Sequence, residues 1–144
     1  VRTLDIGGTI ANSIPTPGDA SGSITVGAVD WRGNALKTYS SQGPTDDGRT
    51  KPDVVAPTNT QVMGPSGPRA VGGTSNSAPN AAGAAAVVLA AARRAGGNPS
   101  AAEVRGQLNA LALDLGQPGP DNVFGWGRVR VNSDSPRLAR LRPA

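Results

Sequence analysis

Gly73-Thr74-Ser75-Asn76-Ser77-Ala78-Pro79-Asn80-Ala81-Ala82-Gly83 is the stretch on which the fold turns. Before it, residues 64–74 are rich in glycine and read as loop. After it, residues 78–94 are nearly all alanine, with Val87, Val88 and Leu89. Alanine has the highest helix propensity, so a helix is expected there. It is apolar almost all round, which predicts burial on all sides. Arg93 and Arg94 complement the negative end of its dipole, and Gly96-Gly97 is a stop signal. Ser75 falls at the junction of loop and helix. The first N–H groups of a helix lack internal acceptors and carry partial positive charge, so an oxyanion formed beside Ser75 would be stabilised. Pro79 suits a first turn, where no N–H bond is lost. Gly73 permits close approach of a substrate backbone. A serine or threonine at such a junction also serves as a plain N-cap, and position alone favours that role.

Working outward, residues 23–30 (SITVGAVD) form a short apolar run suited to a strand buried on both faces. Residues 53–56 (DVVA) predict a second strand ended by Pro57, and residues 60–63 a third. Residues 1–22 read as loop, and residues 31–53 are polar with turns at Gly43-Pro44 and Asp47-Gly48. Downstream, Ser100 and Glu103 have the spacing of a capping box, and Val104, Leu108 and Leu111 recur at helical spacing, predicting an amphipathic helix over 101–113. Residues 123–131 suit a last strand. Strands followed by two helices indicate an α/β layer structure, with too few strands for a complete sheet.

Composition narrows the function. The 144 residues carry a net charge of +4, with a local excess at Arg137, Arg140 and Arg142. No basic stripe with interleaved aromatics appears, so no nucleic acid is expected as partner. No apolar run is long enough to span a membrane. Without cysteine there are no disulfides or thiolate metal sites. Without histidine the chain lacks the usual general base near neutral pH. Any mechanism needing one must take it from elsewhere. Phosphate-loop, dinucleotide and His-based metal motifs are missing, and no metal ligand is assigned. Asp46-Asp47 reads as a solvated turn rather than a calcium site.

The stretch GTSNSAPNAAG resembles the serine motif of the subtilisin-like proteases: Gly-Thr-Ser, three variable residues, Pro, then an Ala-Gly pair. Gly73, Thr74, Ser75, Pro79, Ala82 and Gly83 match. The runs SITVGAVD, YSSQGPT (39–45), KPDVVAP (51–57) and FGWGRVRV (124–131) resemble further segments of that family, in its order. The resemblance covers roughly residues 15–132. It implies the C-terminal part of a catalytic domain (residues 1–133), followed by a basic tail (134–144). The implied fold is α/β: part of a doubly wound, mostly parallel sheet with the Ala-rich helix buried.

By the same resemblance Ser75 is the nucleophile of a catalytic triad whose members follow one another along the chain in the order Asp, His, Ser. Gly73, Thr74 and Asn76 are expected at the substrate. The Asp, the His and the oxyanion-hole Asn belong to an upstream part of the same domain, which activity requires. Asp5 and Asp19 do not sit in the family's Asp segment, and Asn12 reads as a loop residue. The expected substrate is a peptide or protein, with no cofactor required, calcium allowed by family resemblance, and a secreted or cell-surface location. Three positions depart from the family pattern: Thr58 replaces a usual Gly, Asn80 a common His, and Asn76 a common Met. These departures and the missing histidine leave a rival reading, a non-catalytic relative that holds peptides in the old cleft.

Overall fold

A computed structural model of the chain describes residues 11–131. Within them lie strands β1 (Val26–Asp30), β2 (Val54–Thr58), β3 (Thr60–Gly64) and β4 (Gly67–Val71), and helices α1 (Thr74–Arg94) and α2 (Ala101–Leu111). β1 and β2 pair in parallel, with Val26 opposite Val54 and Asp30 opposite Thr58. β3 and β4 form an antiparallel hairpin with Thr60 opposite Val71 and Gly64 opposite Gly67. The α/β class expected from the sequence is what the chain adopts.

The small parallel sheet is held from both sides. Its interior residues Ala28, Val29, Val54, Val55 and Ala56 are fully buried, as a strand covered on both faces requires. The chain after β1 turns back on it: Asp30 N–H donates to Ala35 O, and Lys37 N–H to Ala28 O, while Ala28 N–H is satisfied by the buried Ser40 Oγ at 3.0 Å. On the other side Val55 N–H donates to Gly127 O and Val55 O accepts from Val129 N–H. Val55 thus turns both polar groups away from β1. Pro57, two residues on, has the same orientation, so its missing N–H removes no bond to β1. This is why β2 runs through Pro57 to Thr58 instead of ending at Ala56.

A buried ionic knot ties the two strands at their starts. Lys51 Nζ donates to Asp53 Oδ2 (2.6 Å), Ser23 O (2.9 Å) and Thr25 Oγ1 (3.1 Å). Asp53 Oδ2 also accepts from Thr25 N–H. Arg105 of α2 donates to Ser21 O and Ser23 O. All three ammonium protons of Lys51 therefore have acceptors, which is the condition under which a buried charge is tolerated.

α1 lies on the sheet through one face. Ala81 packs with Val54, Ala56 and Val129, and Val88 with Leu108 and Leu111 of α2. Ala84 and Ala85 complete the stripe. The opposite side, including Ala78, Ala82, Ala86, Val87 and Ala90, is exposed. The expectation of burial all round is therefore corrected: among the described residues, sheet and α2 cover one face only. The helix stops as expected. Gly96 N–H bonds Arg93 O, Gly97 N–H bonds Ala92 O, and Gly96 takes φ 80°, which is a Schellman closure.

Three further expectations need correction. Residues 64–74 are not all loop, because 67–71 pair as β4. That hairpin lacks apolar alternation, and its ladder forms across the short Pro65-Ser66 link. Residues 123–131 hold no continuous strand. Arg128 instead makes single bridges to Val55 and Leu113, and Gly127 passes so close to Leu113 O that a Cβ would sit 2.1 Å from it. The second helix ends at Leu111 rather than 113. Its capping box is complete: Ser100 Oγ accepts from Glu103 N–H, and Ser100 N–H donates to Glu103 Oε2 at 2.7 Å. Asp5 and the basic tail 134–144 lie outside the described residues.

Candidate active site

α1 begins at Thr74, four residues earlier than the alanine run suggests. Its cap is Gly73, with φ 87° and ψ 164° and no side-chain cap hydrogen bond. That conformation is open to glycine almost alone. Neither Thr74 nor Ser75 is therefore an N-cap. Both lie in the first turn. Asn76 N–H and Ser77 N–H turn back to Gly73 O at 3.0 and 3.4 Å. The N–H groups of Thr74 and Ser75 have no acceptor inside the helix. Ser75 itself is exposed. The helix start thus combines an accessible hydroxyl with an adjacent uncommitted backbone donor.

Pro79 is not in the first turn. It is interior to α1, where its missing N–H leaves Ser75 O without the usual i+4 donor. The site tolerates this because neighbouring side chains tie the segment down. Asn80 Nδ2 donates to Asn76 O (3.0 Å) and reaches across to Pro57 O at 3.1 Å. Asn76 is 4% exposed, and its Oδ1 accepts from Thr60 N–H (3.3 Å) and Thr60 Oγ1 (2.9 Å). The structure therefore brings Gly73, Thr74 and Ser75 together at the surface and places Asn76 beneath them, bonded to β3.

Two residues at this site had no role assigned from the sequence. The Tyr39 hydroxyl accepts from Gly73 N–H at 3.1 Å and donates to Thr58 Oγ1 at 3.3 Å. Thr58 Oγ1 donates to Gly73 O at 3.0 Å. A signal for Thr58 existed, since it stands where the resembling segment usually has glycine. Tyr39 carried none, because its partners are 19 and 34 residues away.

The remaining candidates fall elsewhere. Asn12 is an exposed turn residue with φ 59°, whose N–H donates to Gly43 O. Asp19 accepts from Thr16 Oγ1 on the surface. Asp47 is taken up by Thr45 Oγ1 and by Arg49 Nε at 2.8 Å, and the Arg49 guanidinium holds its carboxyl down at about 2. No three acidic, His or Cys side chains gather among the described residues. No described helix is long and apolar enough to cross a membrane.

The chain is similar to several solved proteases. With the CspB protease of Clostridium perfringens it shares 25% identity at a TM-score of 0.75, over 92% of this chain and 29% of that one. With a lanthipeptide protease it shares 29% identity at 0.65, over 80% and 41% respectively. With the patellamide maturation protease PatA the values are 26% and 0.67, over 86% and 46%. The chain thus spans less than half the length of each of these structures. A family profile also matches residues 6–127, a span that takes in β1, β2, the turn at Ser75 and both helices. The chain belongs to the subtilase family.

Proposed function

We propose that the chain is the C-terminal part of a serine endopeptidase domain, with Ser75 as its nucleophile. The observation that carries this reading is the start of α1: an exposed serine in the first turn, behind a glycine-only cap, with a backbone N–H that the helix leaves free. In the reaction the Ser75 oxygen bonds to a peptide carbonyl carbon as its proton passes to a base. The carbonyl oxygen, now negative, is held by the Ser75 N–H and a second donor. The C–N bond then breaks, the amine leaves with the proton, and water releases the acyl group from Ser75.

None of the 144 residues is a histidine. The base, its orienting carboxylate and the second oxyanion donor are supplied in this reading by the upstream part of the same domain. The exposed side of α1, with Val87 half exposed, supports a further layer there. The substrate class is peptide or protein, in keeping with the protease names of the similar structures.

The test is hydrolysis of an unfolded protein by the full-length polypeptide and its Ser75→Ala variant. We expect at least about a thousandfold loss in kcat for the variant. Equal rates in the two proteins would exclude the reading. A full-length sequence without the His, combined with peptide binding and no turnover, would establish the non-catalytic alternative.

A further inference from the structure

We propose that Thr58 and Tyr39 are positioning residues for Ser75, acting through Gly73; this rests on the reading of Ser75 as nucleophile. Gly73 sits two residues before Ser75 in a conformation that only glycine reaches easily, at φ 87° and ψ 164°. A glycine is also the residue with most freedom to leave that conformation. Nothing on a side chain can hold it, so only its two backbone polar groups can be gripped. Both are. Its N–H donates to the Tyr39 hydroxyl, its carbonyl accepts from Thr58 Oγ1, and Tyr39 donates to Thr58, so that the three bonds close a ring through the Gly73 backbone.

The protons of this ring are fully specified. Tyr39 and Thr58 have one hydroxyl proton each, and each is used once in a single direction around the ring. The bonds are 3.0 to 3.3 Å long. Thr58 is completely buried, whereas the Tyr39 residue is 48% exposed and offers only its hydroxyl to the ring. Loss of either hydroxyl leaves a backbone group of Gly73 without that partner.

The ring is one half of a wider attachment. Pro57 O, Thr58 Oγ1 and the Thr60 N–H and hydroxyl reach Asn80, Gly73 and Asn76 in turn. The turn from β2 into β3 thus grips the nucleophile segment on both sides of Ser75. Three positions of this attachment, Thr58 on the turn and Asn76 and Asn80 on the helix, are those at which the sequence departs from the family pattern. The departures form one connected hydrogen-bond system. Nucleophile reactivity is steep in position, with a displacement of about 1 Å costing up to roughly a hundredfold. A small drift of Gly73 is therefore felt at Ser75.

The experiment uses the full-length protein carrying Thr58→Val, Thr58→Ser, Tyr39→Phe or both Thr58→Val and Tyr39→Phe. Three quantities are measured: the rate of fluorophosphonate labelling of Ser75, hydrogen exchange at the Gly73 amide, and Tm. We expect Thr58→Val and Tyr39→Phe each to slow labelling by about ten- to a hundredfold and to speed Gly73 exchange. Thr58→Ser, which keeps the hydroxyl, should restore both, and the double variant should lose less than the product of the single losses, as for partners in one network. Unchanged labelling and exchange in both single variants, with a labelled wild type, overturns the positioning role alone. Equal losses in Thr58→Val and Thr58→Ser also overturn it, because then the hydroxyl is not the agent. A wild type that does not label, whatever its Gly73 protection, overturns the nucleophile reading and the positioning role with it.

Discussion

At the start of α2, Ser100 and Glu103 satisfy each other's backbone donors, with Ser100 Oγ accepting from Glu103 N–H and the Glu103 carboxylate accepting from Ser100 N–H and Oγ. At the start of α1 no side chain caps the helix, and no acidic residue lies in its first turn. The difference lies in where the binding capacity of each N-terminus goes. In α2 it is consumed within the chain and stabilises the helix. In α1 the helix gives the Ser75 N–H no acceptor, and the segment is held instead by bonds to Gly73, Asn76 and Asn80 from outside the helix. The Glu103 carboxyl is pulled below its usual range by the Ser100 backbone and hydroxyl. It serves α2 as a fixed anion, whereas in the proposed function the start of α1 takes a transient one.

Substitutions at the two helix starts should separate stability from reactivity. The largest expected stability loss falls in neither N-terminus. Lys51→Met removes the nearer of the two cations that Asp53 faces in the buried knot, leaving Arg105 Nε at 3.8 Å, so the loss should reach at most the about 3–5 kcal/mol of a fully broken buried pair. Denaturant unfolding of the full-length protein measures it, and a loss within about 0.5 kcal/mol would mean that the knot is not what joins β1 to β2. Next is Gly73→Ala. A Cβ there meets only Ser75 N at 3.7 Å, so space is available, but φ 87° is not. Labelling of Ser75 should fall by about a hundredfold, with stability reduced by about 1–3 kcal/mol. Ser100→Ala should cost about 1 kcal/mol and leave Ser75 labelling unchanged. A labelling defect in that variant would show that the two helix starts are not independent.

The smallest effect is electrostatic. Asp47 titrates at about 2 because Arg49 and then Thr45 bond its carboxylate. Its folded value lies below the ordinary 3.8, so its contribution is present above about pH 3.8 and is lost as pH falls through about 2. Arg49→Ala should move the carboxyl midpoint, read by NMR, back toward 3.8. An unmoved midpoint would separate the shift from Arg49.

What could be read from the sequence was local or patterned. The capping box, the Gly96-Gly97 stop and the Ala-rich helix each lie within a few residues of their cause. The serine motif fixes residues on both sides of Ser75. The sequence was less informative where distant groups decide the outcome. Pro57 continues β2 because its lost donor points away from β1. In the hairpin β3 alternates half-buried and exposed residues, but β4 is mostly exposed and lacks the alternation that marks a half-buried strand. Among the described residues the outer face of α1 is uncovered, because burial depends on what lies opposite, which alanine content does not encode. The ring of Tyr39, Thr58 and Gly73 joins three segments and leaves no periodicity in any of them.

In the proposed function Ser75 is a nucleophile completed by groups outside these 144 residues. This is tested most directly by treating the full-length protein and the isolated 144-residue chain with a fluorophosphonate, then locating the adduct by peptide mass spectrometry. Rapid, single-site modification of Ser75 is expected in the full-length protein and, in the isolated chain, a rate no greater than that of free serine. No adduct at Ser75 in the full-length protein, or equally fast labelling in the isolated chain, would contradict it.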